Sequence, residues 1–257
     1  MIRIAAVGDI HLGTDCAGVV RERYAKIADE ADVLLLAGDL TRLGTLEEAA
    51  VVAAELGNLA VPTVAVLGNH DHHGGVDKEI AWLLEEGGII LLEGEAMVLE
   101  VGEQRLGIAG VKGFGGGFAG ACATEFGEEL MKQFVRATRH SAERLADALA
   151  RLEADYRVAL THFSPTDTTL TGEPVGIHAF LGSYVLGEAV DGELAGVRAD
   201  LAIHGHAHRG TERGVTAGGV VVRNVAQPVI HHPYRIYCLG GSEMECATGG
   251  GEHRGVA

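Results

Sequence analysis

The stretch IRIAAVGDIH at residues 2–11 carries the pattern that decides the fold. Five of its first six residues are apolar, and the run ends abruptly in the polar cluster Gly8-Asp9-Ile10-His11. Four more segments have the same form, and they lie at residues 33–39, 64–71, 158–162 and 201–208. Short apolar runs rich in β-branched residues are typical of buried strands. The sequence therefore predicts five buried strands, each followed by a polar loop.

Helical patterns separate the first three predicted strands, at residues 17–30 and 45–56. This β-α-β-α-β order favours a largely parallel sheet. Because parallel strands end at the same edge of a sheet, we expect the polar clusters to meet at that edge, where α/β proteins place their sites. Further along the chain, the patterns predict a helix, a hairpin, a long helix and two more strands, at residues 76–86, 96–110, 124–155, 219–225 and 234–239.

The long helix is predicted from apolar and small residues that recur at helical spacing. We expect this face to pack on a sheet, and it comprises Phe126, Leu130, Phe134, Ala137, Ser141, Leu145 and Leu149 or Leu152.

The chain shows no convincing linker, so we predict a single domain over residues 1–246. The Gly-rich residues 247–257 are predicted to form a flexible C-terminal tail. Residues 113–120 (GFGGGFAG) lack the Gly-Lys-Ser/Thr ending of a phosphate-binding P-loop. They are interpreted either as a mobile loop at the rim of the site or as a purely structural loop.

Composition limits the classes of partner. The formal net charge of −16 disfavours a broad nucleic-acid-binding face, because an acidic chain repels nucleic-acid backbones. No apolar run is long enough to span a bilayer, and no secretory signal is recognised, so no membrane association is expected. The four cysteines are widely spaced and suggest no disulfide framework, which favours a cytoplasmic protein.

The polar clusters offer carboxylate, imidazole and amide groups in five short segments. Such donors suit divalent ions, with imidazole favouring zinc or iron and oxygen ligands favouring manganese. In Asp9-Ile10-His11 and His206-Ala207-His208, the one-residue gap places both side chains on one side of an extended backbone. The glycines at positions 8, 38, 68 and 205 would let the backbone turn sharply beside such ions. His204 is predicted to have a core role and is excluded from the ligands.

The order of these clusters resembles the signature of the calcineurin-like metallophosphoesterase family. That signature is Asp-x-His, Gly-Asp, Gly-Asn-His-Asp/Glu, His and Gly-His-x-His, and every element occurs here between Asp9 and His208. The resemblance implies an α/β fold, a four-layer αββα sandwich with two mixed β-sheets flanked by helices.

The same resemblance implies a pair of metal ions with one shared ligand. It implies one ion held by Asp9, His11, Asp39 and His208, and a second held by Asp39, Asn69, His162 and His206. His70 is implied to act on the substrate, and Asp71 is a candidate for orienting it. The identity of the two ions (manganese, iron or zinc) stays open.

The expected reaction is hydrolysis of a phosphate ester by attack of a hydroxide that bridges the two ions. His70 would stabilise charge or protonate the leaving oxygen. We expect a phosphodiesterase that acts on small molecules, while a phosphomonoesterase, a nuclease and a non-catalytic scaffold remain alternatives in that order. His72 and His73 are interpreted as ordinary loop residues, with pocket lining as the alternative. Arg209 is interpreted as a surface residue in an ion pair, with a phosphate contact as the alternative, and the role of His178 stays open.

Overall fold

The computed structural model describes residues 1–240, and its first sheet carries three of the predicted strands at its centre. From edge to edge, this sheet consists of β13 (Arg235–Leu239), β1 (Ile2–Val7), β2 (Val33–Ala37), β3 (Thr63–Val66) and β4 (Ile89–Leu91). All neighbours are parallel except β13, which runs antiparallel to β1.

The second sheet contains the other two predicted strands. Its order is β11 (Arg213–Val215), β12 (Val221–Asn224), β10 (Leu201–His204), β9 (Tyr156–Thr161), β6 (Gln104–Val111) and β5 (Glu95–Val101). The four central strands are parallel, and both edge strands are antiparallel to their neighbours. A separate small ribbon pairs β7 (Gly117–Phe118) with β8 (Ala121–Cys122).

The two sheets pack face to face, with helices on their outer faces. Alternate residues of the central strands, such as Ile4, Leu35, Ile108 and Ile203, form the buried layer between the sheets. Against the outer faces pack α1 (Ile27–Glu30), α2 (Leu46–Leu56) and α3 (Asp77–Glu86) on the first sheet, and α4 (Glu129–Ala150) and α6 (Tyr184–Val190) on the second. The predicted αββα sandwich with two mixed sheets is therefore confirmed.

The remaining helices are short. They are α5 (His178–Leu181), α7 (Gln227–Ile230) and the 3₁₀ turns Thr14–Cys16, Arg21–Tyr24, Thr168–Leu170 and Val175–Ile177. In the part of the chain that the structure describes, no helix is both long and apolar enough to cross a membrane.

The helix predicted over residues 17–30 is wrong for most of its length, because only α1 and one 3₁₀ turn form there. A buried carboxylate explains the difference. Glu55 accepts hydrogen bonds from the backbone N–H groups of Val20 (2.9 Å) and Arg21 (2.7 Å), which fixes this segment as a loop. The Arg21 guanidinium also donates to the carbonyl of Gly57 (2.9 Å), just after the C-terminus of α2. Tertiary hydrogen bonds therefore outweigh local helix preference here.

Helix α4 forms where the long helix was predicted, but part of its expected buried face is wrong. Phe126 is 88% exposed and lies before the helix begins, and Leu130 in the first turn is 76% exposed. The observed face is displaced by one residue over the middle turns and consists of Val135, Thr138, Ala142, Leu145, Ala146, Ala148 and Leu149.

Residues 113–120 form a structural segment that is largely buried. The N–H groups of Gly116 and Gly117 donate to the carbonyls of Ala179 (2.7 Å) and Gly182 (2.9 Å). These bonds hold the segment against the residues around α5, so the structural interpretation is the one that the fold supports.

The proposed boundary at residue 246 stays a prediction, and the predicted tail lies outside the described residues.

Two cysteines of the described chain, Cys16 and Cys122, are free, whereas Cys238 is disulfide-bonded. One bonded cysteine does not make a disulfide framework of the kind that the spacing argued against. The cytoplasmic placement stays a prediction.

Candidate metal centre

The polar clusters meet at one end of the sandwich, contributed by both sheets. Asp9 follows β1, Asp39 follows β2, Asn69 lies three residues beyond β3, and His162 and His206 follow β9 and β10. Three sets of side chains bring one ligand atom each to within 4.8 Å of one another, namely Asp9-His11-His208, His11-Asp39-His70 and Asp39-His162-His206. These sets contain six of the seven residues predicted to bind metal. The seventh, Asn69, contacts His162, so all seven lie at one site.

The first group of donors centres on Asp9, which is 2% exposed. Its Oδ1 lies 2.9 Å from Nε2 of His208, and its Oδ2 accepts a 2.8 Å hydrogen bond from the backbone N–H of His206. The imidazole of His11 lies beside that of His208, with 5.5 Å between the ring centroids. The loops after β1 and β10 are therefore joined through one buried carboxylate.

The second group centres on His162, which is fully buried. Its Nε2 lies 2.9 Å from Oδ1 of Asn69 and 3.4 Å from Oδ1 of Asp39. The ring of His206 packs on it with 4.7 Å between centroids. Asp39 also lies 3.9 Å from Nε2 of His11 through its other oxygen, Oδ2. Asp39 therefore stands between the two groups of donors.

Backbone carbonyls fix the orientation of two imidazoles. Nδ1 of His162 is 2.8 Å from the carbonyl of Ala37, and Nε2 of His206 is 3.1 Å from the carbonyl of Phe180. A nitrogen that donates its proton to a carbonyl leaves the other nitrogen of a neutral imidazole as a lone pair. Nε2 of His162 and Nδ1 of His206 are thereby left free to bind a cation, an arrangement usual for metal-binding histidines.

The electrostatics of the donor set fit a bound cation. Burial lowers the pKa of His162 well below its ordinary value and lowers that of His206 to about 3, so both rings are neutral. The lone pair of His162 Nε2 then faces the acceptor oxygen of Asn69 at 2.9 Å. A ring nitrogen lone pair and an amide oxygen this close together suit neighbouring ligands of one divalent ion.

The buried carboxylate of Asp9 gives the same indication. Its pKa is raised to about 6, mainly by burial and also by the neighbouring Asp39, although the hydrogen bond from His208 lowers it. Two carboxylates that are 2% and 1% exposed lie together here without a lysine or arginine in an ion pair among residues 1–240. A divalent ion would supply the missing positive charge.

Backbone strain is concentrated at this site. Six non-glycine residues of the described chain have positive φ, and four of them are Asp9 (56°), His11 (43°), Asp39 (51°) and His206 (70°). This left-handed conformation costs about 1–2 kcal/mol per residue. The fold therefore accepts strain in order to aim these side chains inward.

Two glycines allow the close approach behind the ligands. A Cβ atom at Gly68 would overlap the Asp39 carboxylate, and one at Gly205 would overlap that of Asp9. Of the four glycines predicted to permit sharp turns, only Gly38 has a positive φ (80°). Gly68 and Gly205 are thus needed for space rather than for backbone angles.

His70 lies at the open side of the site, and its side chain is 42% exposed. Its Nδ1 is 2.7 Å from the carbonyl of Arg42, while Nε2 is 4.0 Å from Oδ2 of Asp39. The backbone N–H of His70 donates to Oδ1 of Asp39 (2.8 Å). The ring is therefore oriented by the Arg42 carbonyl, and its Nε2 lies on the side of the predicted metal ligand Asp39.

The hydrogen bonds of the Asp71 carboxylate go to backbone and hydroxyl groups of neighbouring loops, and the His70 ring is held by the Arg42 carbonyl instead. The carboxylate accepts hydrogen bonds from the backbone N–H (2.8 Å) and Oγ1 (2.6 Å) of Thr41 and from the N–H groups of Gly68 (2.8 Å) and Leu40 (3.2 Å). Burial raises the pKa of Asp71 to about 6, and these donors offset part of that cost. Asp71 therefore links the loop that carries Asp39 to the loop that carries His70.

Substitution of Asp71 with asparagine should weaken both loops, since an amide has one acceptor oxygen and would turn its NH₂ group toward N–H donors. Each donor left unsatisfied costs about 1–3 kcal/mol. We expect the melting temperature to fall by about 2–12 °C in calorimetry and turnover to fall by about 10- to 100-fold. Asp147→Asn, at an exposed position of α4, is the matched control. An unchanged melting temperature for Asp71→Asn would contradict this role.

Several neighbours of the site lie where the sequence left their roles open. His204 is buried at the end of β10, as expected, and its Nε2 is 2.8 Å from Oγ1 of Thr169. Nδ1 of His72 lies 3.6 Å from Asp77, and Nε2 of His178 lies 3.3 Å from the Glu173 carbonyl. Arg209 is exposed, and its guanidinium has no ion-pair partner within residues 1–240. The ion pair expected for Arg209 is therefore not observed.

The fold and the donor set together define a metallophosphoesterase-type protein, and sequence comparison agrees. The family model for calcineurin-like phosphoesterases matches residues 2–210. The chain therefore belongs to the calcineurin-like phosphoesterase family. Members use a dinuclear metal centre, and the acidic and histidine clusters described above provide ligands for one. No curated protein sequence matches the chain.

Solved structures share the fold at low sequence identity. Phosphopantetheinyl hydrolase from Mycobacterium tuberculosis is 17% identical with a TM-score of 0.55, covering 87% of this chain and 88% of that one. A putative 5′-nucleotidase from Staphylococcus aureus is 16% identical with a TM-score of 0.52, covering 87% and 48%. GAP50, described as the anchor in the inner membrane complex of Plasmodium, is 13% identical with a TM-score of 0.51, covering 88% and 72%. At these identities the comparisons show the fold alone.

Proposed function

We propose that the protein is a dinuclear metal-dependent phosphodiesterase acting on small-molecule phosphate esters. The observation that carries this proposal is the position of Asp39 between two complete groups of donors. One group comprises Asp9, His11, Asp39 and His208, and the other comprises Asp39, Asn69, His162 and His206.

Charge supports a phosphoryl group as the bound chemistry. Asp9 and Asp39 are the two anionic members of the proposed ligand set, whereas two divalent ions bring four positive charges. The site would be locally positive on a chain whose formal net charge is −16. Such a local well attracts a phosphate ester while the rest of the surface repels polyanions.

When bound, two divalent ions supply a water of lowered pKa and a clamp for the phosphoryl oxygens. The chain's own residues supply the rest. Asp39 would hold the two groups of donors in register, and His70 would face the substrate because Nδ1 is held by the Arg42 carbonyl. Its Nε2 can carry the proton that the leaving oxygen needs. Manganese is the ion that we propose to test first, and iron and zinc also suit these ligands.

The open side of the site favours a diester over a monoester. The side chains of His70 and His208 are each 42% exposed, which leaves room for two groups on the phosphorus atom. A phosphomonoesterase is the second candidate, because the same positive well would attract a dianionic phosphate. A nuclease is disfavoured by the net charge. A non-catalytic scaffold would explain neither the strained ligands nor the orientation of His70.

The test is hydrolysis of bis(p-nitrophenyl) phosphate and p-nitrophenyl phosphate by protein that has been stripped of metal and refilled with manganese. We expect manganese-dependent cleavage with kcat/KM at least about tenfold higher for the diester, a difference of about 1.4 kcal/mol. A preference for the monoester would favour the phosphatase candidate. Cleavage of neither ester by protein with two bound ions would count against the enzyme proposal for these substrates.

A further inference from the structure

We infer that Lys112 is a specificity-determining residue that binds a second anionic group of the substrate, such as an additional phosphate, beside the reacting phosphoryl group. This inference rests on the proposed function. Lys112 directly follows β6, so it lies at the same edge of the second sheet as His162 after β9. Its carbonyl accepts the backbone N–H groups of His162 (2.9 Å) and Phe163 (3.0 Å), which ties it to the site.

The Lys112 ammonium lies over an aromatic surface that reaches the metal ligands. Nζ is 5.2 Å from the ring centroid of Phe114 and 5.6 Å from that of Phe163. The Phe163 ring packs on the ring of His206 with 4.4 Å between centroids. The cation is thus separated from a proposed metal ligand by one aromatic ring.

This ammonium has aromatic neighbours but, in the part of the chain that the structure describes, no carboxylate within ion-pair distance. Within residues 1–240, Nζ of Lys112 contacts the two rings, and three carboxylates act on it electrostatically without forming an ion pair, two of which have other partners. Glu93 accepts a hydrogen bond from the backbone N–H of Lys112 (2.9 Å) and lies 3.4 Å from Arg144, while Asp77 lies 3.6 Å from His72. The pKa of Lys112 is lowered overall, because the effect of partial burial outweighs the opposing effect of Glu93, Asp39 and Asp77.

The setting suits an anion that enters with the substrate. A half-buried ammonium over apolar rings is shielded from water, so a charge-assisted hydrogen bond to it is stronger than one at an open surface. The aromatic rings of Phe114 and Phe163 offer a flat contact for the part of the substrate between its two anionic groups. A substrate with one phosphoryl group and no second anion would leave Lys112 unpaired.

The test uses two diesters that differ by one phosphate, the p-nitrophenyl 5′-ester of thymidine monophosphate and the same ester with an additional 3′-phosphate. For the manganese-loaded protein we expect kcat/KM about 10- to 100-fold higher with the second phosphate, the value of one hydrogen bond to a charged group. Lys112→Met should reduce this ratio to about one, and Lys112→Arg should retain most of it. Lys26→Met, an exposed lysine beside α1, is the matched control for loss of one charge.

Each outcome decides the inference separately from the proposed function. A ratio near one in the unsubstituted protein, an unchanged ratio in Lys112→Met, or an equal fall for both diesters would overturn it. If neither diester is cleaved, the proposed function fails for these substrates. Calorimetric dissociation constants of thymidine 3′,5′-bisphosphate and thymidine 5′-monophosphate then decide, and an affinity advantage that Lys112→Met removes would support the role of Lys112.

Discussion

Asp39→Ala is expected to abolish binding of both metal ions, not of one. The carboxylate stands between the two groups of donors, with Oδ1 3.4 Å from Nε2 of His162 and Oδ2 3.9 Å from Nε2 of His11. Removing it leaves each group one ligand short and removes one of two anionic charges. Because ion binding to such sites depends on the full ligand set, metal content should fall from about two ions per chain to near zero.

The same substitution should remove nearly all activity, because both proposed ions act on one phosphoryl group. Metal content is measured by elemental analysis after dialysis, and circular dichroism identifies the folded fraction. Asp147→Ala, which removes an exposed carboxylate from α4, should keep both ions. Asp39→Asn retains the shape of the side chain and guards against a fold defect in the alanine variant. Two fully occupied ions in folded Asp39→Ala would show that Asp39 does not bridge them.

Much of this centre could be predicted from the sequence because its ligands follow buried strands. Strands such as Ile2–Val7 and Val33–Ala37 have the bounds that their apolar runs predicted. Once the strands are parallel, their carboxyl ends must share an edge, so the polar clusters after them meet. A pattern that is read locally thus predicts that residues far apart in the chain lie together. Asp9 and His208, which are in contact, are 199 positions apart.

The partners behind the ligands could not be predicted, because they are backbone atoms. The carbonyls of Ala37, Arg42 and Phe180 orient three imidazoles. Every residue has a backbone carbonyl, so the amino-acid sequence does not indicate which carbonyls take this role. The link from Asp71 to Thr41 depends likewise on how two loops fold against each other. Lys112 had a sequence signal that was missed, since it directly follows a strand of the same sheet.

The helix predicted over residues 17–30 failed for a related reason. Its composition favours a helix, but Glu55, far along the chain, accepts the N–H groups of Val20 and Arg21. A buried carboxylate that satisfies several backbone donors contributes more than the small differences in helix propensity. The apolar periodicity of one segment cannot predict hydrogen bonds to a residue far along the chain.

His70→Asn is expected to keep both metal ions and still lower kcat by about 10²- to 10⁴-fold, the range for loss of an acid–base group. The ring is held through Nδ1 by the Arg42 carbonyl at 2.7 Å, so in the proposed role Nε2 alone would face the substrate. Asparagine keeps a polar side chain at this place but cannot carry a proton to a leaving oxygen. The full effect should therefore appear in kcat with an alkyl diester, whose leaving oxygen needs a proton, while metal content stays at about two ions per chain.

A leaving group of low pKa provides the sharper form of this experiment, because it needs no proton in order to depart. The loss in His70→Asn should shrink for nitrophenyl esters and grow for alkyl esters if Nε2 donates a proton, and it should be equal for both if His70 only stabilises charge. His73→Asn, at an exposed position of the same loop, controls for loss of a histidine. Full activity of His70→Asn on both kinds of ester would exclude both proton donation and charge stabilisation by Nε2 of His70.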